Sequence, residues 1–320
     1  MPNSKTEVRE EPLVSVLVAT YNQRAVVEET LNSIAAQSYK NIEIIISDDC
    51  STDGTQDILV NFSKMSPNVT LFLQPKNLGI TANYNFLAMK SFGKYVATFS
   101  GDDVMMNTKI AQQVDALEAD GGASFCHHAV TVLDYDSGVQ GNILTRKYVN
   151  NITTVHDVLR GLGIPGSMAL MYCRSAADVP VFEPSIPTAS DWLHIIKLAA
   201  TGRGIYIPES LCLYRQDSNY NGKDPSTYEN DFLKTIEIAR SMYTLPGDDF
   251  DKSCDYAIRR YSLGAGYRSL IRSDMLKARS LFKTSMLEMK FVAPALILYA
   301  YSYLFSNIRI LALVKKVLRF

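Results

Sequence analysis

The chain has 320 residues, enough for one large domain or for one domain with a smaller appendage. Its 32 basic and 33 acidic residues give a formal net charge of −1, which argues against a nucleic acid partner because no excess positive charge attracts phosphates. Five scattered cysteines form no Cys-x-x-Cys pair and predict reduced thiols. Residues 1–11 are polar and predict a disordered lead without the apolar core of a signal peptide, which favours the cytoplasm.

Buried strands alternate with helices over the first hundred residues. Apolar, β-branched runs predict strands at 13–20, 41–47, 69–73 and 94–100, and helical spacing predicts helices at 26–37, 56–64 and 81–90. This alternation predicts a parallel sheet with helices on both faces, in which ligands bind beyond the carboxyl ends of the strands. Polar clusters follow three of those ends: Thr20-Tyr21-Asn22, Asp48-Asp49 and Gly101-Asp102-Asp103.

The second half is less regular. Strands are predicted at 123–133, 167–173, 205–207 and 211–214, short helices at 153–162 and 191–200, and helices alone from about residue 228.

Four motifs in order resemble those of family 2 glycosyltransferases: residues 12–22 (PLVSVLVATYN), 44–55 (IIISDDCSTDGT), 77–85 (NLGITANYN) and 93–103 (GKYVATFSGDD). The resemblance is strong over 12–120 and continues more weakly to residue 215. It implies an α/β fold of the GT-A type: a Rossmann-like nucleotide-binding sheet at 12–220, with a donor half (12–120) and an acceptor half (121–220). A helical C-terminal region would follow at 221–320.

The same resemblance implies an inverting enzyme of cell-surface polysaccharide biosynthesis. It would move a sugar, as a hexosyl or N-acetylhexosaminyl group, from a nucleotide diphosphate donor, with UDP favoured. The acceptor would be a hydroxyl of a glycan or a lipid-linked glycan.

Asp102 and Asp103 are adjacent carboxylates that repel each other unless a cation lies with them. Mn²⁺ and Mg²⁺ favour oxygen ligands, often one or two carboxylates together with substrate phosphates. By resemblance Asp103 is the metal ligand, and Asp102 faces the ribose or the sugar. The alternative is that one of them caps the following helix.

The resemblance assigns further residues to the donor. Asp49 would accept a hydrogen bond from the nucleotide base, the alternative being an Asx-turn, the role we predict for Asp48 and Asp53. Tyr21 would stack on the base or pack in the core. The other predicted donor residues flank the nucleotide: Ala19, Thr20, Asn77, Gly79 and Asn85. For Asn77, Gly79 and Asn85 the alternative is ordinary loop and helix-start chemistry.

Asp191 is the candidate general base, which must lie within hydrogen-bond reach of the acceptor hydroxyl. The family commonly has a Glu-Asp pair here, and this chain has Ser190 before Asp191. The alternative is an acidic residue favoured by the start of a helix. Trp192 would support the acceptor or fill the core, and Gly166 and Ser167 lie where the family approaches the acceptor.

Tyr214-Arg215 resembles a later motif in which the arginine would hold the diphosphate. The family often has a histidine two positions on, where this chain has Asp217. Cys126-His127-His128 mimics a metal cluster, but strand neighbours point to opposite faces. We therefore predict packing, with His128 near the acceptor.

The C-terminal end is apolar and then basic. Residues 291–305 are 15 without charge, fewer than the roughly 20 that a membrane-spanning helix needs. Residues 308–320 form a basic amphipathic pattern, which predicts peripheral attachment to the cytoplasmic face of a membrane. The alternatives are packing on the chain's own domain or on a second subunit.

Two other functions compete. A sugar-phosphate nucleotidyltransferase usually has an early Gly-rich loop with Arg and Lys, whereas the segment after Thr20 offers only Arg24 and no glycine. A non-catalytic membrane-associated relative would not need the aspartate set. A processive synthase would need a Gln-x-x-Arg-Trp motif, and the sole tryptophan is Trp192.

Overall fold

The computed structural model describes residues 11–134, 137–146, 148–161, 163–216, 225–243, 249–286 and 296–300. The chain divides into two compact units. The first unit comprises Met1–Val155 and Ile164–Asp224, and the second comprises His156–Gly163 and Pro225–Phe320. The domain boundaries predicted from the sequence stay predictions.

Ten strands form one mixed sheet in the described part of the first unit. In chain order they are β1 (Val14–Thr20), β2 (Ile42–Asp48), β3 (Val69–Leu73), β4 (Tyr95–Ser100), β5 (Val104–Met105), β6 (Ala123–Asp134), β7 (Gln140–Leu144), β8 (Ile152–Thr153), β9 (Met171–Cys173) and β10 (Arg203–Gln216). The main order is β3-β2-β1-β4-β9-β6-β10-β5, with β7 beside β6 and β8 beside β10. The first four strands are mutually parallel, as the sequence predicts.

The helices follow the strands in the expected alternation. They are α1 (Val27–Ala35), α2 (Thr55–Met65), α3 (Ile80–Met89), α4 (Lys109–Ala119), α5 (Val155–Gly161), α6 (Ser190–Thr201), α7 (Pro225–Met242), α8 (Asp249–Ile271) and α9 (Met275–Ser285). The predicted α/β sheet followed by C-terminal helices is therefore confirmed.

The main core lies against the centre of the sheet. Every residue of β1 is buried, and α1 contributes Val27, Leu31 and Ile34, each fully buried. Complete burial of such aliphatic side chains stabilises the fold by about 1.5–3 kcal/mol each. This core fixes β1 between β2 and β4 and thereby brings the ends of the three strands together.

Two predicted strands differ in the structure. Residues 167–173 were expected to be one strand, but Ser167–Ala169 form a 3₁₀ turn and only Met171–Cys173 are extended. The short strands expected at 205–207 and 211–214 are one strand, β10. Its register against β6 shifts between Ile207 and Leu213, which absorbs Pro208 without ending the strand.

The second unit contains packed helices. Leu263 and Leu270 of α8 contact Ala278 and Phe282 of α9 in a small buried cluster. Within the described residues, every helix is too short or too polar to cross a bilayer. The basic pattern at 308–320 lies outside the described residues.

Candidate active site

The carboxyl ends of β1, β2 and β4 lie side by side. Thr20 pairs with Asp48 across β1 and β2, and Ala19 pairs with Ser100 across β1 and β4. The Gly101 N–H donates to the Ala19 carbonyl at 3.0 Å. A Cβ on Gly101 would lie 2.6 Å from Thr20 Cγ2, so only glycine permits this approach. The polar clusters therefore share the sheet edge where ligands bind in such folds.

Asp48 holds the loop after β2. Its oxygens accept four hydrogen bonds, from Thr20 Oγ1 (3.0 Å), Ser51 N–H (2.8 Å), Ser51 Oγ (2.5 Å) and Gln56 Nε2 (2.8 Å). Asp53 likewise accepts from the N–H groups of Arg24 (3.0 Å) and Thr55 (3.0 Å). The loop roles predicted for Asp48 and Asp53 are confirmed.

Asp49 is buried and joins β2 to the start of α3. Its Oδ1 accepts from the Leu78 N–H at 2.6 Å, and its Oδ2 accepts from the Gly79 N–H at 2.9 Å. Gly79 has a φ of 81°, the left-handed region that favours glycine. Asn77 Nδ2 donates to the Asp49 carbonyl at 3.3 Å. The carboxylate thus satisfies free amides of a helix start and uses two of its roughly four acceptor positions.

Tyr21 is half exposed, with 50% of its surface accessible, so the core alternative is wrong for this residue. Its neighbours Ala19 and Thr20 are buried in the sheet. An exposed ring beside Asp49 is free to stack on a flat heterocycle.

Asp103 is buried and only partly satisfied. Its Oδ1 accepts from the main-chain N–H of Arg215 at 2.9 Å, whereas its Oδ2 has no hydrogen-bond partner among the described residues. Burial and then the negative charge of Asp102 raise the pKa of Asp103 well above its ordinary value. The helix-cap alternative is wrong for both aspartates, because β5 follows them and Thr108 occupies the N-cap of α4.

The Arg215 side chain connects the turn at Asp102 and Asp103 to α1. Its Nε donates to the Asp102 carbonyl at 2.7 Å, and its Nη2 forms an ion pair with Glu29. These two partners hold the guanidinium in place, and only 8% of the Arg215 side chain is exposed. Asp217, where the family often has histidine, lies outside the described residues.

The negative charges of three carboxylates act on the buried Tyr84 side chain. Its buried hydroxyl donates to the Phe99 carbonyl at 2.9 Å. Burial raises the pKa of Tyr84, and the negative charges of Asp102, Asp103 and Asp191 raise it further. The candidate base and the adjacent aspartates therefore act on the same buried group.

Asp191 is the second residue of α6 and is half-buried. Its Oδ1 accepts from the Trp192 N–H at 2.9 Å. Burial raises the pKa of Asp191 above its ordinary value. Trp192 is buried, and its support of the acceptor stays a prediction.

Gly166 and Ser167 lie at the 3₁₀ turn before β9. Thr98 Oγ1 of β4 donates to the Ser167 carbonyl at 2.9 Å, which ties this turn to the sheet. Their contact with an acceptor stays a prediction.

Cys126, His127 and His128 are fully buried in β6, so their predicted packing role is confirmed. His127 Nε2 lies 2.8 Å from Thr153 Oγ1, and His128 Nδ1 lies 2.7 Å from the Ala129 carbonyl. Burial lowers the pKa of His127 to about 3, so its ring is neutral. The placement of His128 near an acceptor stays a prediction.

Comparison with known proteins identifies the family. The model of glycosyl transferase family 2 matches residues 15–178, from β1 beyond β9. This chain belongs to glycosyl transferase family 2. The family 2 match decides against both the nucleotidyltransferase and the non-catalytic alternatives, and the chain is a glycosyltransferase.

Relatives with named activities act in glycan synthesis. A putative teichuronic acid biosynthesis glycosyltransferase of Bacillus subtilis is 31% identical over 65% of this chain and 81% of that protein. A GalNAc(5)-diNAcBac-PP-undecaprenol beta-1,3-glucosyltransferase of Campylobacter jejuni is 25% identical over 92% of this chain and 95% of that protein. This family 2 chain thus has relatives in the synthesis of bacterial glycans.

Solved structures share the fold. TarS of S. aureus, residues 1–349 with UDP, has a TM-score of 0.65 at 16% identity, covering 90% of this chain and 89% of that one. The mannosyltransferase PcManGT of Pyrobaculum calidifontis, with GDP-Man and Mn²⁺, has a TM-score of 0.55 at 17% identity, covering 97% and 87%. At these identities the likeness supports the GT-A architecture of the family 2 chain.

The donor set at Asp103 fits a divalent cation. Its unpartnered Oδ2 and the neighbouring Asp102 provide hard oxygen ligands whose mutual repulsion a cation would relieve. In the described part of the chain, no three His, Cys, Asp or Glu side chains converge on one point. The glycosyltransferase would therefore supply one or two carboxylates and leave other positions to substrate phosphates, as Mn²⁺ and Mg²⁺ sites often do.

Four residues at this site were missed in the sequence: Glu29, Thr81, Tyr84 and Phe182. Glu29 is one of two acidic residues in the first turn of α1, a position that the helix dipole alone explains. Thr81 and Asn85 are four residues apart, so they lie on one face of α3. That spacing was the only signal available for Thr81, since its partners lie more than 100 residues away.

Proposed function

We propose that this glycosyltransferase moves a sugar from a nucleoside diphosphate donor, a UDP-sugar, to a hydroxyl of a glycan acceptor with inversion. The observation that best supports it is the buried Asp103 carboxylate at the sheet edge shared by β1, β2 and β4, whose Oδ2 has no hydrogen-bond partner among the described residues. A diphosphate-binding group and a proton acceptor must lie within one sugar's reach of each other, and the negative charges of Asp102, Asp103 and Asp191 all act on Tyr84.

On the donor side, Asp49 accepts from the nucleotide base and Tyr21 stacks on it. Ala19, Thr20, Asn77 and Gly79 shape the surface around the base, and Asp102 faces the ribose or sugar. These assignments stay proposals, supported by the shared sheet edge and by the exposure of Tyr21.

The cation and the diphosphate belong at Asp103, whose free oxygen supports this role. When bound, Mn²⁺ or Mg²⁺ supplies positive charge that stabilises the departing diphosphate. Arg215 holds the turn that carries both aspartates. A direct contact between Arg215 and the diphosphate stays a prediction from the family resemblance.

Asp191 removes the proton from the acceptor hydroxyl. The hydroxyl oxygen attacks the anomeric carbon, and the bond from that carbon to the diphosphate oxygen breaks with its electron pair on the leaving group. Attack from the side opposite the diphosphate inverts the anomeric centre. The raised pKa of Asp191 suits a base that works near neutral pH.

The acceptor is a growing glycan, in particular one carried on a lipid diphosphate. This proposal rests on the Campylobacter relative, whose name gives an undecaprenol-linked glycan as its acceptor. Gly166, Ser167 and Trp192 belong to the acceptor side.

The test is thermal unfolding with UDP, GDP and other nucleoside diphosphates, with and without Mn²⁺. A ligand at 100 times its Kd stabilises the folded state by about 2.7 kcal/mol, a rise of about 5 °C for a chain of this size. We expect a rise with UDP that requires Mn²⁺ and disappears in Asp103→Ala.

Asp120→Ala is the matched control, since Asp120 forms a surface ion pair with Arg203 away from the site. It should keep the full nucleotide shift. A metal-independent shift of normal size in Asp103→Ala would contradict the assignment of Asp103. A larger shift with GDP would replace UDP as the proposed donor nucleotide.

A further inference from the structure

The loop before α6 is fastened to α3 by Thr81. The Thr81 hydroxyl lies 2.9 Å from the Ile186 carbonyl and 3.0 Å from the Pro187 carbonyl. Thr81 is buried, so these bonds are shielded from competing water. The chain is thereby held just ahead of Asp191.

Asn85 fastens the other end of this loop. Its Nδ2 donates to the Phe182 carbonyl at 2.8 Å, and its Oδ1 accepts from the Phe182 N–H at 2.8 Å. The N–H and the carbonyl of Phe182 are therefore both paired with the side-chain amide of Asn85. This contact differs from the nucleotide contact that the sequence predicts for Asn85.

Phe182 is further held by its ring. The ring centroid lies 5.4 Å from that of Tyr84 and 5.3 Å from that of His194, which belongs to α6. Burial lowers the pKa of His194 to about 3, so a neutral ring packs here. Phe182 thus contacts α3 through its main chain and its ring, and α6 through its ring.

Ser190 completes the connection to the candidate base. Its Oγ accepts from the Glu183 N–H at 2.6 Å, and Ser190 directly precedes Asp191. Ser190 replaces the glutamate of the family's common Glu-Asp pair and is buried. The path from Asn85 to Asp191 therefore runs through Phe182, Glu183 and Ser190.

We propose that Asn85 is a positioning residue for Asp191 and acts through the Phe182–Pro187 loop. The inference rests on the proposed role of Asp191 as base. Without the amide, the Phe182 N–H and carbonyl lose their partners and the loop is free to shift. A misplacement of about 1 Å can cost about 100-fold in rate, even from a change far from the reacting atoms.

The experiment compares Asn85→Ala with the parent enzyme in sugar transfer. We expect kcat to fall about 10- to 100-fold. The KM for the donor and the melting shift with UDP and Mn²⁺ should stay at parent values. Ser185→Ala is the matched control, because Ser185 lies in the same loop and is exposed, and its hydroxyl bonds within the loop to Glu183. It should keep the parent kcat.

Two further variants guard against a folding defect. Asn85→Asp keeps an acceptor for the Phe182 N–H but loses the donor, so its kcat should lie between those of the parent and Asn85→Ala. Thr81→Val removes the other fastening and should also lower kcat with an unchanged donor KM. If Asn85→Ala fails to fold, a parent-like kcat in both other variants overturns the proposal.

The outcomes separate this inference from the proposed function. A raised donor KM or a lost nucleotide shift in Asn85→Ala, at normal kcat, would make Asn85 a donor contact and overturn the inference. So would full activity of Asn85→Ala beside an inactive Asp191→Asn. Full activity of Asp191→Asn would instead remove the base assignment itself, and the inference with it.

Discussion

Asp191 combines a helix-start position with partial burial, and these act on its acidity in opposite directions. The Trp192 N–H bonds to its carboxylate and lowers the pKa of Asp191, whereas burial raises it and outweighs the hydrogen bond. The side chain therefore holds a proton more tightly than an aspartate in water. A carboxyl group of this kind is a stronger base once it is deprotonated.

The pH dependence of transfer should report this residue. Only the deprotonated carboxylate accepts a proton, so kcat/KM should fall as the pH drops through the raised pKa of Asp191. The midpoint of that limb should lie above the ordinary aspartate value of about 3.9. Asp191→Asn should lower kcat about 10²- to 10⁴-fold, the usual contribution of general base catalysis.

The matched control is Asp178→Asn, the same substitution at an exposed position. It should keep both the rate and the pH profile. A parent-like rate in Asp191→Asn, or a flat profile in the parent enzyme down to an ordinary aspartate pKa, would contradict the base assignment.

The helices α8 and α9 pack closely together at a glycine. A Cβ on Gly266 would lie 2.6 Å from the buried Phe282 ring, whereas a Cβ on Gly264 would meet only Arg268 Nη1 at 3.5 Å. Close packing of the two helices therefore depends on one of the two glycines.

Gly266→Ala should destabilise the chain by about 1–3 kcal/mol, the usual cost of overpacking a core. Gly264→Ala, on the same helix, should be neutral or stabilising by up to about 1 kcal/mol, because alanine favours helices. Urea unfolding of the two variants measures the difference. Equal effects would contradict the packing at Phe282.

The elements that sequence reasoning predicted well carry local signals. β1 and β2 are continuous apolar runs, and α1 has its apolar residues at helical spacing. The 3₁₀ turn at Ser167–Ala169 carries no such signal, since its conformation depends on Thr98 in β4. The sequence predicted two strands for β10 because Pro208 interrupts the pattern, whereas in the structure a register shift accommodates this proline within one strand.

The site residues likewise separate into those with a local sequence signal and those that depend on distant contacts. Asp49, Asp102 and Asp103 were found because they stand at the ends of buried strands, a pattern visible along the chain, and Asp191 was found from its place in a family motif. The sequence did not reveal the partners of Asn85 and Arg215, because Phe182 lies 97 residues from Asn85 and Glu29 lies 186 residues from Arg215. Contacts at such separations depend on the completed sheet, and one sequence alone does not reveal them.

For the whole molecule, the remaining prediction concerns its C-terminal basic segment. Residues 308–320 lie outside the described part of the chain, and their sequence predicts attachment to anionic lipid. An enzyme with a lipid-linked acceptor would meet its substrate more often at such a surface.

Sedimentation with vesicles tests this attachment. We expect the chain to bind vesicles containing anionic lipid and not neutral ones. Losing the positive charges of Lys315 and Lys316 costs about 1 kcal/mol per lysine, so reversing both to glutamate should lower affinity by at least about 30-fold. Reversing the exposed Lys64 and Lys252 should have little effect. Equal binding of both double variants would contradict a role for the segment.

Arg215 bonds to Asp103 through its main chain and to Asp102 and Glu29 through its side chain, so substitutions at this position affect the two contacts differently. Every amino acid except proline carries the N–H that orients Asp103, so a change of side chain at position 215 leaves this bond in place. The bonds to the Asp102 carbonyl and to Glu29 require a guanidinium. A lineage that lost the arginine would therefore keep the hydrogen bond that orients Asp103 and lose the one that holds the Asp102 carbonyl, so that drift at position 215 would change the geometry of Asp102 before that of Asp103.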